Sequence, residues 1–124
     1  MVIHESAENY LESILILQER LGKVHSIDIV NELGYSKPSV SIAMKKLREN
    51  GYIAMAPDGT ITLNDSGMTV ASHIYMRHKT ITRLFTLLGV SPEIAAEDAC
   101  KVEHDLNEET FRKILEFVQN SEQS

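Results

Sequence analysis

Cys100, Glu103 and His104 are the residues of this chain whose types and spacing could do chemistry. They lie in the stretch Asp98-Ala99-Cys100-Lys101-Val102-Glu103-His104-Asp105. The stretch reads as helix, and on a helix positions i, i+3 and i+4 project from one face. A thiol, a carboxylate and an imidazole side by side form a ligand set for Fe(II), Mn(II), Co(II), Ni(II) or Zn(II), and they suit Ca²⁺ or Mg²⁺ poorly. The plain alternative is that Cys100 is a small buried hydrophobe. Against it, the inward stripe of this helix reads as Ala95, Ala99, Val102 and Leu106, with the three polar residues on the adjoining face. A carboxylate and an imidazole beside an open metal can also activate water, so a small metalloenzyme is a competing reading. No Gly-rich phosphate loop or nucleophile motif supports it.

The elements that must position these residues can be read from apolar spacing. Ala7, Tyr10, Leu11, Ile14, Leu17 and Leu21 form a helical stripe over 5–21, closed by Gly22. A short helix fits Ser26–Leu33, with Ile27, Val30 and Leu33 inward and Gly34 as terminator. Ser36 then caps a third helix with Pro38 in its first turn, where the missing N–H has no helical partner to lose. Its inward face is Val40, Met44 and Leu47, and Gly51 ends it near Asn50. The period then changes to that of strands. Tyr52–Ala56 and Thr60–Leu63 flank the turn Pro57-Asp58-Gly59 and form a hairpin. Asn64 or Asp65 caps a long helix to about Leu88, closed by Gly89. Ser91-Pro92 starts a helix over about 92–105 with Ser91 as its cap, and Asn107 caps a last one with Phe111, Ile114, Leu115 and Val118 on its apolar face. The residues from about Asn120 are expected to fray.

Helix, helix, turn, helix, hairpin is the order of a winged helix-turn-helix. The first two helices present the third to the major groove, and the wing reaches flanking backbone. The face so presented carries Ser36, Lys37, Pro38, Ser39 and Ser41 for bases and phosphates. Lys45, Lys46 and Arg48, further along, suit phosphate neutralisation. The common fate of such lysines is a solvated surface; the tandem short helices and the hairpin favour DNA.

Charge distribution agrees. The net charge of −6 lies wholly in residues 91–124, with nine acids against three bases, while residues 1–90 balance nine against nine. A basic reading helix on a neutral body is compatible with DNA binding at one end of the molecule. With 124 residues, 43% hydrophobic and 24% charged, the chain has the composition of a soluble globular protein. It shows neither a membrane-length apolar run nor a secretory leader. A single cysteine forbids an internal disulfide and fits a cytoplasmic setting. His4, His25 and His73 stand at no ligand spacing and receive no role.

The chain resembles the diphtheria toxin repressor family of metal-dependent transcriptional regulators. The segments that carry the likeness run along nearly its whole length: Glu8-Asn9-Tyr10-Leu11-Glu12, Ser36-Lys37-Pro38-Ser39-Val40-Ser41, Lys45-Lys46-Leu47, Gly51-Tyr52-Ile53, Leu63-Asn64-Asp65-Ser66-Gly67, Met76-Arg77-His78 and Cys100-Lys101-Val102-Glu103-His104. The resemblance implies a mainly α protein. Residues 1–72 would form a winged helix-turn-helix domain and 73–124 a helical dimerisation and metal-binding domain, with the helix at about 65–88 shared. The length is that of the two-domain, manganese-type members, so the third, barrel-like domain of the longer iron-responsive members is expected to be absent.

The same resemblance implies a homodimer on a palindromic operator, repression of metal-uptake genes, and metal ligands at Asn9, Glu12, His78, Cys100, Glu103 and His104. No membrane partner and no small-molecule substrate are expected. Four positions depart from the pattern of one or both branches of the family. Position 9 is an amide where the manganese branch has a carboxylate and the iron branch a methionine. Position 100 is cysteine as in the iron branch, where the manganese branch has glutamate. Thr82 and Ala96 replace the ligands of the iron branch's second site. The expected ion is Fe(II), with Mn(II) close behind and Co(II), Ni(II) or Zn(II) binding in vitro. The remaining alternative is a winged-helix regulator that answers to a small ligand or to nothing.

Overall fold

The computed structural model describes residues 5–123. The chain divides into two compact units, Met1–His73 and Ile74–Ser124. Six helices and two short strands follow one another: α1 Glu5–Leu21, α2 Ser26–Leu33, α3 Lys37–Glu49, β1 Ile53–Met55, β2 Ile61–Leu63, α4 Asp65–Leu87, α5 Pro92–Val102 and α6 Glu108–Gln123. No helix among the described residues is long and apolar enough to cross a membrane.

The first unit is built around the apolar faces of α1 and α3. Leu11, Ile14, Val24, Ile29, Val40, Met44, Ile53 and Ile61 are fully or almost fully buried in one cluster. Each such side chain removed from water stabilises the unit by about 1.5–3 kcal/mol. The expected face of α3 is the observed one. That of α2 is observed in part: Val30 and Leu33 pack against the cluster, but Ile29 is fully buried in place of the expected Ile27, which is 46% exposed. In eight residues the period of 3.6 leaves two faces nearly equal, and contact with α1 and α3 selects between them. Leu21, at the end of the α1 stripe, is likewise exposed.

The hairpin pairs Ile53 with Leu63 and Met55 with Ile61 in antiparallel register. A third stretch of backbone joins it, because Ile61 N–H donates to the Val24 carbonyl at 2.7 Å. The single bridge fixes the wing to the segment between α1 and α2. Asp28 accepts the backbone N–H of His25 at 2.8 Å, so His25 is the N-cap residue of α2; His4 lies outside the described residues. Where α4 starts, the Asn64 amide and the Ser66 hydroxyl both donate to the Gly51 carbonyl at 3.0 Å. Asn64 thus ties the helix start to the preceding turn instead of capping it through its side chain. Gly67 is buried against the Tyr52 carbonyl, which a Cβ at that position would strike.

In the second unit the C-terminal part of α4, α5 and α6 bury Ile74, Ile81, Ala95, Ala99, Phe111 and Val118. Gly89, at φ +104°, lets the chain leave α4 in the left-handed region. Three expectations shift here. α5 ends at Val102, short of residue 105, and Glu103 stands at its C-cap with its N–H donating to Ala99 O at 3.0 Å. Ser91 occupies the N-cap position, but its hydroxyl makes no capping bond. α6 runs on through Asn120 to Gln123. Asn107 does cap α6, accepting the Glu109 N–H at 2.8 Å.

Candidate metal centre and nucleic-acid interface

The presented face of α3 lies in the first unit. The Ser36 hydroxyl accepts the Ser39 N–H at 3.2 Å and donates to the Ser39 hydroxyl at 2.8 Å, so the helix start is held in place. Ser36, Lys37, Pro38, Ser39, Ser41, Lys45, Lys46 and Arg48 are all exposed, so every residue assigned to the face from the sequence reaches solvent. Lys45 has only a loose contact, 3.9 Å to Glu49, and its charge stays available. Among them stands a residue that the sequence pattern did not bring forward: Ile42, 57% exposed on the same helix. An exposed isoleucine off the core stripe has the chemistry to meet a thymine methyl group in the major groove. Its position outside the Val40, Met44, Leu47 stripe was the available signal.

The candidate metal centre lies in the second unit. His78 projects from α4, Cys100 from the last turn of α5, and Glu103 from the C-cap immediately after it. One ligand atom from each falls within 4.8 Å of the other two. His78 Nδ1 is 2.8 Å from a Glu103 carboxylate oxygen and 3.7 Å from Cys100 Sγ. Although the helix ends at Val102, Glu103 keeps right-handed helical dihedrals (φ −61°, ψ −27°). The turn therefore continues for one residue, and the i, i+3 pairing of Cys100 and Glu103 survives.

The electrostatics are those of a site that draws positive charge. Glu103 is fully buried, and a carboxylate there is stable only with a cationic partner. The His78 imidazole is pushed up from 6.5 to about 10, first by the hydrogen bond with Cys100 and then by that with Glu103. A proton supplies the cation in the ion-free protein. The second Glu103 oxygen, Oε1, is buried, accepts no hydrogen bond and lies 3.5 Å from His104 Nε2. That spare acceptor, with a thiol and an imidazole nitrogen beside it, fits a divalent transition ion.

The structure thus brings together three of the six residues expected as ligands, and sets His104, its side chain almost fully buried, beside Glu103. Asn9 and Glu12 lie on α1 in the first unit, Asn9 half-buried and Glu12 buried, one turn apart on the helix. Thr82 and Ala96 are half-buried residues of α4 and α5.

The family model described as "Iron dependent repressor, N-terminal DNA binding domain" matches residues 3–61. That described as "Iron dependent repressor, metal binding and dimerisation domain" matches residues 64–124. The chain belongs to the iron-dependent repressor family. Within this family of metal-dependent transcriptional regulators it is 35% identical over 115 residues to the transcriptional regulator MntR of Salmonella typhimurium, covering 93% of this chain and 73% of the relative. It is 25% identical over 121 residues to the diphtheria toxin repressor of Corynebacterium diphtheriae, covering 97% of this chain and 54% of that one. A solved structure, a manganese-dependent transcriptional repressor in complex with manganese, superposes with a TM-score of 0.83 at 26% identity over 91% of this chain and 52% of its own. The chain spans about half the length of that structure. The chain is thus similar both to a manganese-dependent repressor and to the diphtheria toxin repressor.

Proposed function

We propose that this protein is a metal-responsive repressor that binds a palindromic DNA operator as a homodimer when loaded with Fe(II) or Mn(II), and so shuts off metal-uptake genes in the cytoplasm. The observation that carries the metal half of this reading is the convergence of His78 Nδ1, Cys100 Sγ and the Glu103 carboxylate within 4.8 Å. His78, Cys100 and Glu103 would hold the ion, with His104 beside them. Asn9 and Glu12 join the proposed ligand set from the resemblance alone. A bound divalent ion supplies positive charge that neutralises the buried carboxylate and the thiolate. To accept it, His78 must give up its proton, so metal uptake competes with protonation of the same ring. The cysteine sulfur softens the site towards later metals, while the oxygen donors keep Mn(II) within reach.

The DNA half rests on α3. Its Ser36–Ser41 end meets base edges and phosphates, Ile42 adds an apolar contact, and Lys45, Lys46 and Arg48 neutralise phosphates. The second unit supports dimerisation by its exposed apolar residues. Leu88 is 68% exposed, Phe117 54% and Ile94 52%, and a groove of about 600 Å³ is lined by Leu84, Ile114 and Phe117 among others. A small unit with that much open apolar surface gains stability by covering it with another copy.

The test begins with operator selection from a random-sequence duplex library in the presence of Mn(II) or, anaerobically, Fe(II). Affinity for the selected duplex is then measured with either ion and with chelator. Tighter binding with metal is expected. Equal affinity in every condition would leave a winged-helix regulator without a metal switch.

A further inference from the structure

One buried arginine bonds the turn that carries Glu103. Arg77, adjacent to His78 on α4, is only 6% exposed. Its Nη1 donates to the Glu103 carbonyl at 3.0 Å and to the Leu106 carbonyl at 2.8 Å. Its Nη2 donates to the Glu108 carboxylate at 2.9 Å, and the guanidinium carbon stands 5.1 Å from the centroid of the Phe111 ring. All four partners lie on the turn after α5 or on the first turns of α6. This turn carries Glu103 and His104, and it follows directly from the end of α5, where the helix's own hydrogen bonds stop.

We propose that Arg77 is a positioning residue for the metal centre: it pins the 103–108 turn so that the Glu103 carboxylate faces His78 and Cys100. The proposal rests on the reading of those three residues as ligands. The chemistry asks for arginine specifically. A planar fork can donate to two carbonyls and a carboxylate at once, and it can lie over an aromatic ring; a lysine ammonium keeps the charge but cannot reproduce that set. Because Arg77 and His78 are neighbours on one rigid helix, the turn and the imidazole are referenced to the same backbone. A carboxylate left to swing on an unpinned turn would spend part of its time away from the ion, and metal affinity would fall by that fraction. Supporting groups of this kind change metal affinity by about 10- to 100-fold when removed.

The experiment is an anaerobic Co(II) titration of the full chain, followed by the sulfur-to-cobalt charge-transfer band and the d–d bands, with thermal melting of the ion-free protein alongside. Wild type, Arg77→Lys and Glu108→Ala are compared. Arg77→Lys is expected to lower Co(II) affinity about 10- to 100-fold and to alter the d–d bands at saturation, which mere loss of stability would not do. Glu108→Ala, which removes one of the acceptors on the turn, should shift affinity in the same direction by less. If wild type shows no charge-transfer band, the ligand reading itself is wrong. If wild type binds and Arg77→Lys shows the same affinity and spectrum, with or without a lower melting temperature, the positioning role is overturned. Should Arg77→Lys fail to fold, Glu108→Ala decides: wild-type affinity and bands in that variant would also overturn the role.

Discussion

Glu103 has no solvent exposure, and yet one of its oxygens accepts no hydrogen bond. A buried carboxylate in that condition costs several kcal/mol unless a cation balances it. The raised His78 imidazole provides that balance in the ion-free protein, and a metal would provide it in the loaded one. Glu103→Gln, which keeps the shape and removes the charge, is expected to weaken Co(II) binding by more than about tenfold, at least as much as the loss of a supporting group; calorimetric titration measures it. Cys100 is exposed, but its sulfur lies 3.7 Å from His78 Nδ1, so Cys100→Ala should destabilise the ion-free protein by about 0.5–1.5 kcal/mol. The same substitution should abolish the sulfur-to-cobalt absorption. A band that persists in Cys100→Ala would remove the cysteine from the ligand set.

Among the elements, the wing is held at three places: the Val24 bridge, the Gly51 carbonyl that receives Asn64 and Ser66, and the close approach of Gly67 to Tyr52. Gly67→Ala forces a methyl group into the Tyr52 carbonyl, and the clash should destabilise the protein by about 1–3 kcal/mol in urea denaturation. The wing's tip gives a pH-dependent prediction. Asp58 accepts the Thr60 N–H at 2.9 Å, and that backbone hydrogen bond is the first cause holding its carboxyl below 3.8. A lowered folded-state value means that Asp58 stabilises the turn above pH 3.8 and ceases to do so as pH falls through the folded value. Asp58→Ala should therefore melt below wild type at about pH 7, with the gap narrowing progressively as the pH is taken below 3.8. A gap that stays the same in acid would assign its effect to something other than the charge.

At the scale of the whole molecule, the proposed switch is a coupling between an ion and a DNA site, and coupling is reciprocal. If metal tightens operator binding by a factor within about 5–150, operator DNA must tighten metal binding by the same factor. Metal titrations with and without the selected duplex test this directly; unequal factors would mean that a further equilibrium intervenes. The phosphate contribution separates by salt. Lys46→Ala should weaken binding to all sequences alike and reduce the slope of log K against log salt by about one for each phosphate that Lys46 neutralises. A substitution at Ile42 should instead change preference at one base position and leave the slope intact.

Much of the molecule is local and therefore legible in its sequence. Glycines at 22, 34, 51 and 89 take positive φ just after α1, α2, α3 and α4, because only a residue without Cβ adopts that backbone cheaply. The α3 core stripe, the turn at Asp58-Gly59 and the Asn107 cap follow from spacing and from side chains that bond their own neighbours. So does the pairing of Cys100 with Glu103, separated by a single helical turn. Other features depended on packing between distant parts of the chain. The choice of Ile29 over Ile27 in α2 was made by the helices packed against it, since a short helix has no decisive stripe of its own. The bridge from Val24 to Ile61 spans a separation that no local pattern records. His78 came from the sequence only through family resemblance, and the role of Arg77 did not come at all, because an arginine carries no mark of burial until carbonyls from another element surround it. Sequence spacing set out the ligand types on one turn; the packing of α4 against α5 and α6 decided that an imidazole, a pinned carboxylate and a thiol would face one another.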